Sequence, residues 1–166
     1  RDKACGDFVI EDYINQGKKI SVLIESDNLI FNKSKPKLIN KSTESTVGTI
    51  IKSAQDNRLV FELDENLNPG DTYKIDNLQF KAVKNIPQKN RGYIYLKINE
   101  NLYHPIFNQV EHNIGNYPDQ VIFEKENKND DDFECLFEVD RFNLELKGNS
   151  KKTFELSFKL KKIIDT

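Results

Sequence analysis

Apolar and polar residues alternate almost end to end along this chain. A period of two admits half-buried strands and excludes an amphipathic helix over the same stretch. Ile20, Val22 and Ile24 form one apolar row, and Leu59, Phe61 and Leu63 form another. Tyr73 and Ile75 follow the turn Pro69-Gly70-Asp71, and Leu78, Phe80 and Ala82 come next. Ile94, Leu96 and Ile98 alternate with Tyr93, Tyr95 and Lys97. The pattern returns at Val121 and Phe123, at Phe133, Cys135, Phe137 and Val139, and at Phe142, Leu144 and Leu146. It closes with Phe154, Leu156, Phe158 and Leu160; Leu29–Phe31, Leu38–Ile39 and Thr49–Ile51 are shorter candidates. The step from Ile75 to Leu78 is three residues, which reverses the phase and predicts a bulge or bend near Asn77.

Turn-forming clusters separate these rows, among them Asp56-Asn57, Asn66–Gly70, Lys89–Gly92 and Lys147–Ser150. About ten to twelve short strands, each with one wet face, predict an all-β antiparallel sandwich of immunoglobulin-like or jelly-roll type. No second composition regime or linker interrupts the 166 residues, so a single domain over 1–166 is expected. Composition agrees, since a chain poor in Ala and rich in Phe and β-branched residues suits sheets better than helix bundles. One short helix is expected at 105–114, where Pro105 opens a face made of Ile106, Phe107, Val110 and Ile114, and Gly115 ends it. Phe8–Ile14 fits a helix through Val9, Ile10, Tyr13 and Ile14 or a strand through Phe8, Ile10 and Ile14, and the strand, turning at Asn15–Gly17, is the preferred reading.

Several function classes are disfavoured. No apolar run approaches the roughly 20 residues of a membrane-crossing helix. The formal net charge of −2, and an outer face of the C-terminal strand on which lysines 151, 152, 159, 161 and 162 have no aromatics interleaved, argue against nucleic acid. The seven glycines form no phosphate-cradling loop, and no serine sits in a nucleophile elbow. His104 and His112, with Glu111 between them, fit no known ligand spacing and read as surface residues. No catalytic residues are assigned, and a non-enzymatic protein is expected.

Four features remain as candidates. Cys5 and Cys135 lie far apart and in no C-x-x-C, so they are either two buried thiols or a disulfide; a bridge would tie down the N-terminus and imply an extracellular or periplasmic location. Asn127, Asn129 and Asp131 resemble the start of a calcium loop, without the Gly and Glu that complete an EF-hand; calcium is the one cofactor to consider, and a solvated hairpin loop is the competing reading. A weaker acidic turn runs from Asp64 and Glu65 to Asp71, with Gly70 expected at positive φ. Tyr93 and Tyr95 share the strand face opposite Ile94, Leu96 and Ile98 and offer a flat partner surface, or else pack across strands. Phe154, Leu156, Phe158 and Leu160 would fill a neighbour's core if the last strand, Thr153–Ile164, were donated by strand addition; otherwise they close their own sheet.

The stretch Leu59–Val83, above all Pro69-Gly70-Asp71-Thr72-Tyr73 followed by Ile75, Leu78 and Phe80, resembles a strand–turn–strand segment of secreted bacterial sandwiches. There it belongs to immunoglobulin-like or cohesin-like modules of cell-surface proteins. The resemblance implies a surface or scaffolding context and transfers no binding residue. The expectation is a structural or assembly module, partnered by protein, possible copies of itself included, with a carbohydrate- or protein-binding module as the alternative. Beginning at Arg1 without Met, the sequence reads as a processed mature chain or an excised domain. Sequons occur at Asn32 and Asn40.

Overall fold

The computed structural model describes residues 3–6, 10–11, 14–24, 28–86, 92–98, 101–103, 106–107, 135–140 and 146–161. Its strands are β1 (Lys3–Cys5), β2 (Ile10–Glu11), β3 (Lys19–Ile24), β4 (Leu29–Phe31), β5 (Lys37–Asn40), β6 (Gly48–Ile51) and β7 (Arg58–Leu63). They continue as β8 (Thr72–Ala82), β9 (Gly92–Ile98), β10 (Asn101–Tyr103), β11 (Ile106–Phe107), β12 (Phe137–Asp140) and β13 (Lys151–Lys161). The first sheet runs β1-β12-β13-β8-β4, with β5 beside β4 on β8 and β2 added to β13. The second runs β10-β9-β3-β7-β6, with β11 also on β9. Every pairing is antiparallel except β2 with β13. This is the two-sheet sandwich that the alternation predicts.

The two inner faces differ in chemistry. The first sheet supplies the rings: Tyr73 stacks on Phe158 at 5.8 Å, and Phe80 meets Phe154 at 5.9 Å and Phe31 edge-on at 6.4 Å. The second sheet answers mainly with aliphatics, Ile20, Val22, Ile24, Leu59, Leu63, Ile94, Leu96 and Ile98, all buried. Large rings against branched chains interdigitate and fill the interior, as sandwich cores require.

The step of three between Ile75 and Leu78 is a bulge. On β13, Phe154 pairs with Leu78 and Leu156 with Ile75, so Asp76 and Asn77 together oppose Glu155. Asn77 takes φ +55°, a left-handed conformation that Asn tolerates better than most residues. The extra residue keeps both halves of β8 facing the core.

One helical expectation changes. Ile106 and Phe107, placed by the sequence in the first turn of a helix over 105–114, instead pair with Gly92 and Tyr93 as β11. Strand pairing to β9 satisfies their backbone in a way that a Pro-initiated turn does not; residues 108–114 lie outside the described residues. The strand expected over 8–14 is described only at β2 and at Ile14, which bridges Leu67. Val121, Phe123, Phe133, Phe142 and Leu144 also lie outside the described residues, and Leu146 forms a bridge to Ile86.

Candidate functional site

β1 is only three residues long, and a covalent bond adds to its pairing with β12. Cys5 lies opposite Glu138 in the β1–β12 register, and Cys135 sits two residues ahead of Phe137. Their sulfurs are bonded, with Cα atoms 5.8 Å apart and 130 positions between them in sequence. Cys5 shares the outward phase of Glu138 and is buried, while Cys135, just ahead of β12, is half-buried. Neither belongs to the hydrophobic core cluster, so the inward phase that alternation gave Cys135 does not hold at the bond. Next to the bond, the Gly6 N–H donates to the Phe137 carbonyl at 2.6 Å. A Cβ on Gly6 would stand 2.7 Å from Phe137 Cδ2, in a ring with no room to retreat, so the position requires glycine. Lys3 completes the edge with a 2.6 Å bond from Nζ to Asp140 Oδ1. Burial pulls the Lys3 pKa down, but the hydrogen bond to Asp140 and the charges of Asp140, Glu138 and Glu155 together raise it above its usual value.

The tyrosine surface falls on the outer face of the second sheet. Tyr95 lies beside Leu23, and Leu23 beside Arg58, in one cross-strand row. The next row runs Ile51, Val60, Ser21, Lys97 and Leu102. Alternation assigns this whole face to water, yet Val60 is 7% and Ser21 4% exposed. Arg58 contributes to that cover by donating from Nη2 to Ser21 Oγ at 2.9 Å. Leu23, Ile51 and Tyr95 are half-buried, and Leu102 at the sheet's edge is 52% exposed. The result is an apolar belt on the side of the sheet away from the core. The signal for it in the sequence is the unbroken run Leu59-Val60-Phe61, which the period-two reading passes over. Tyr93 is in β9 two residues before Tyr95; its side chain lies outside what is described.

The described part of the last strand sits within its own sheet; residues 162–164 lie outside the described residues. β13 pairs with β8 along one edge and with β12 along the other, and Phe154, Leu156, Phe158 and Leu160 are all buried in the core. Asn127, Asn129 and Asp131 lie outside the described residues, as do His104, Glu111 and His112. Around the second acidic turn, Gly70 has φ +92°, the Asp64 carboxylate accepts from Thr49 Oγ1 at 3.0 and 3.1 Å, and Tyr73 donates to Asp71 at 3.4 Å. Burial, with the Asp71 carboxylate adding to it, raises the Tyr73 pKa, and the N–H that Asn68 donates to its oxygen only partly offsets this. Among the described residues no group of three His, Cys, Asp or Glu is placed to hold a metal ion.

The two sequons are unlike. Asn40 is 7% exposed, and its amide is engaged by the Ser42 N–H and by Asp71, so the folded chain withholds it from modification. Asn32 is half-buried in a turn closed on Ser34.

Fold and edge together define a two-sheet, largely antiparallel β-sandwich with a disulfide on one edge of its first sheet. No protein-family model, no curated protein and no solved structure matches the chain. No helix among the described residues is long and apolar enough to cross a membrane.

Proposed function

We propose that this chain is a non-enzymatic structural or assembly module of an extracellular or cell-surface structure, and that it meets its protein partner, a second copy included, through the outer face of the second sheet. The observation that carries the reading is the belt of Leu23, Ile51, Val60, Tyr95 and Leu102 on a face turned away from the core. Apolar area that includes Tyr95, with Arg58 in the same cross-strand row, has a composition enriched at interfaces. The Cys5–Cys135 bond supports the location, because disulfides persist in oxidising compartments. Donation of β13 to a neighbour belongs to the same reading as a slower route, since the strand must first leave its ladders with β8 and β12.

Sedimentation velocity across a wide concentration range, with negative-stain microscopy, tests the proposal. The expected result is self-association that reverses within minutes of dilution and weakens in a Leu102→Lys, Tyr95→Lys variant. Assembly that persists on dilution would move the contact to β13. A monomer at every concentration that also captures no extracellular partner would overturn the reading.

A further inference from the structure

The outer face of the first sheet carries a different surface. At one end of the sandwich Lys81 on β8 stands directly opposite Lys151 on β13. Like charges in opposed positions destabilise a sheet. Both lysines are exposed, and neither has an ion-pair partner among the described residues. The chain beyond this pair, where β8 ends and β13 begins, adds more of the same charge. Ala82 donates its N–H to Ser150 O at 2.9 Å, and Gly148 packs against the Lys84 backbone, so the exposed Lys84 and Lys147 lie together just beyond the pair. Lys35 and Lys52, also exposed, lie on the neighbouring turns. Asp56 is the single acid among the described residues of segments 28–36, 52–58, 79–86 and 146–153.

Between β4 and β8, beside Lys151, the surface dips into an open depression of about 200 Å³. Ile30 lies next to Lys81 in register and forms its apolar side. Two amides border it. Gln79 donates from Nε2 to Thr153 Oγ1 at 3.1 Å, which leaves its amide oxygen as an acceptor. Asn32 accepts at Oδ1 from the Ser34 N–H at 2.9 Å and the Ser34 hydroxyl at 2.8 Å, which leaves its NH₂ as a donor. A small apolar patch, one acceptor, one donor and paired ammonium groups match a sugar ring that carries a carboxylate or sulfate. The C–H face of such a ring would pack on Ile30, its hydroxyls would meet the amides, and its charge would meet the lysines. The depression is smaller than the roughly 300–1,000 Å³ of a pocket for a drug-sized ligand. It suits one ring of a polymer whose neighbouring charges reach Lys84 and Lys147.

We infer that this end of the first sheet binds an anionic polysaccharide. Nucleic acid is the poorer fit, because Phe31 and Phe80, the rings beside the depression, are buried in the core and offer no face for a base. The opposed lysines then have a reason: a pair that costs stability when empty is relieved when an anion sits between them. This inference rests on the extracellular reading above.

The test uses the full chain, fluorescence anisotropy with labelled heparin oligosaccharide, and calorimetry with polygalacturonate, both at low salt. The wild-type chain binds at least one of the two, and added salt weakens the complex. The K81Q/K151Q variant binds about tenfold more weakly, as expected for two exposed charge contacts. Its melting temperature stays equal or rises, because the repulsion has gone. K18Q/K41Q, at the opposite end, binds as wild type does. Undiminished affinity in K81Q/K151Q, absence of binding to both polysaccharides, or tighter binding to single-stranded DNA than to either would overturn the inference. Free thiols in protein from its native source would instead strike the extracellular reading, so the two failures are distinguishable.

Discussion

The two lateral edges of the sandwich are held by different means, one by a passage from sheet to sheet and the other by a bond within the first sheet. On one, β5 of the first sheet passes into β6 of the second through a loop that is hydrogen-bonded throughout. Val47 donates to Leu38 O at 2.9 Å, Asn40 to Ser45 O at 3.0 Å, and Asp64 to Val47 O at 2.9 Å. Nearby, Phe31 donates to Asp56 O at 2.8 Å, and the Lys33 ammonium donates to Ser53 O and Gln55 O at 3.0 Å each. On the other edge, β1 pairs with β12 at three positions, and a disulfide adds to them. The difference follows from chain entropy. Residues a few positions apart close cheaply, and a ladder of backbone bonds suffices. Partners 130 positions apart do not, and a strand of three residues returns little. A covalent bond that restricts the unfolded chain is the efficient remedy there.

The largest expected effect is on the covalent edge. Cys5→Ser with Cys135→Ser should lower the unfolding free energy by about 2–5 kcal/mol, measured by denaturant unfolding. A loss below about 1 kcal/mol would mean that pairing alone holds β1. Next is Gly6→Ala, which forces a Cβ into the immobile Phe137 ring and should cost about 1–3 kcal/mol by the same measurement. On the hydrogen-bonded edge Asn40→Ala removes a side chain that binds Ser42 and Asp71, and a loss of about 1 kcal/mol is expected. If it matched the cysteine variant, the contrast between the edges would fail.

The smallest effect is on pH dependence, and it samples the β1 edge through Lys3 and the interior strand β8 through Tyr73. Lys3 and Tyr73 each hold a proton more tightly in the folded chain than at their ordinary values of 10.5 and 10.0. Their contribution is therefore complete below pH 10.0 and declines as pH rises through the raised values. Melting temperature should fall in that alkaline range, and Lys3→Gln and Tyr73→Phe should each flatten the fall. An unchanged slope in both variants would remove these groups from the account.

Much of the fold was legible because burial on one face imposes a period of two, and even the bulge at Asn77 showed as a change of phase. Ile106 and Phe107 misled, because a Pro followed by apolar residues at helical spacing also suits a short strand that finds a partner on β9. The apolar belt was harder to see. Val60 and Ser21 occupy outward positions, and their burial depends on which strands lie alongside, a property of register rather than of local pattern. Lys81 and Lys151 stand 70 places apart in the chain by their numbers, so only the β8–β13 pairing brings them together. Asn40 carried the same local sequon signature as Asn32, and only its packing against Asp71 tells them apart.

The contrast between the edges is tested most directly by native-state hydrogen exchange, with and without a reductant mild enough to leave the chain folded. Reduction should strip protection from Gly6 and from the β1–β12 amides, while Val47, Asp64 and Asn40 exchange as before. Equal loss at both edges, or none at β1, would contradict it.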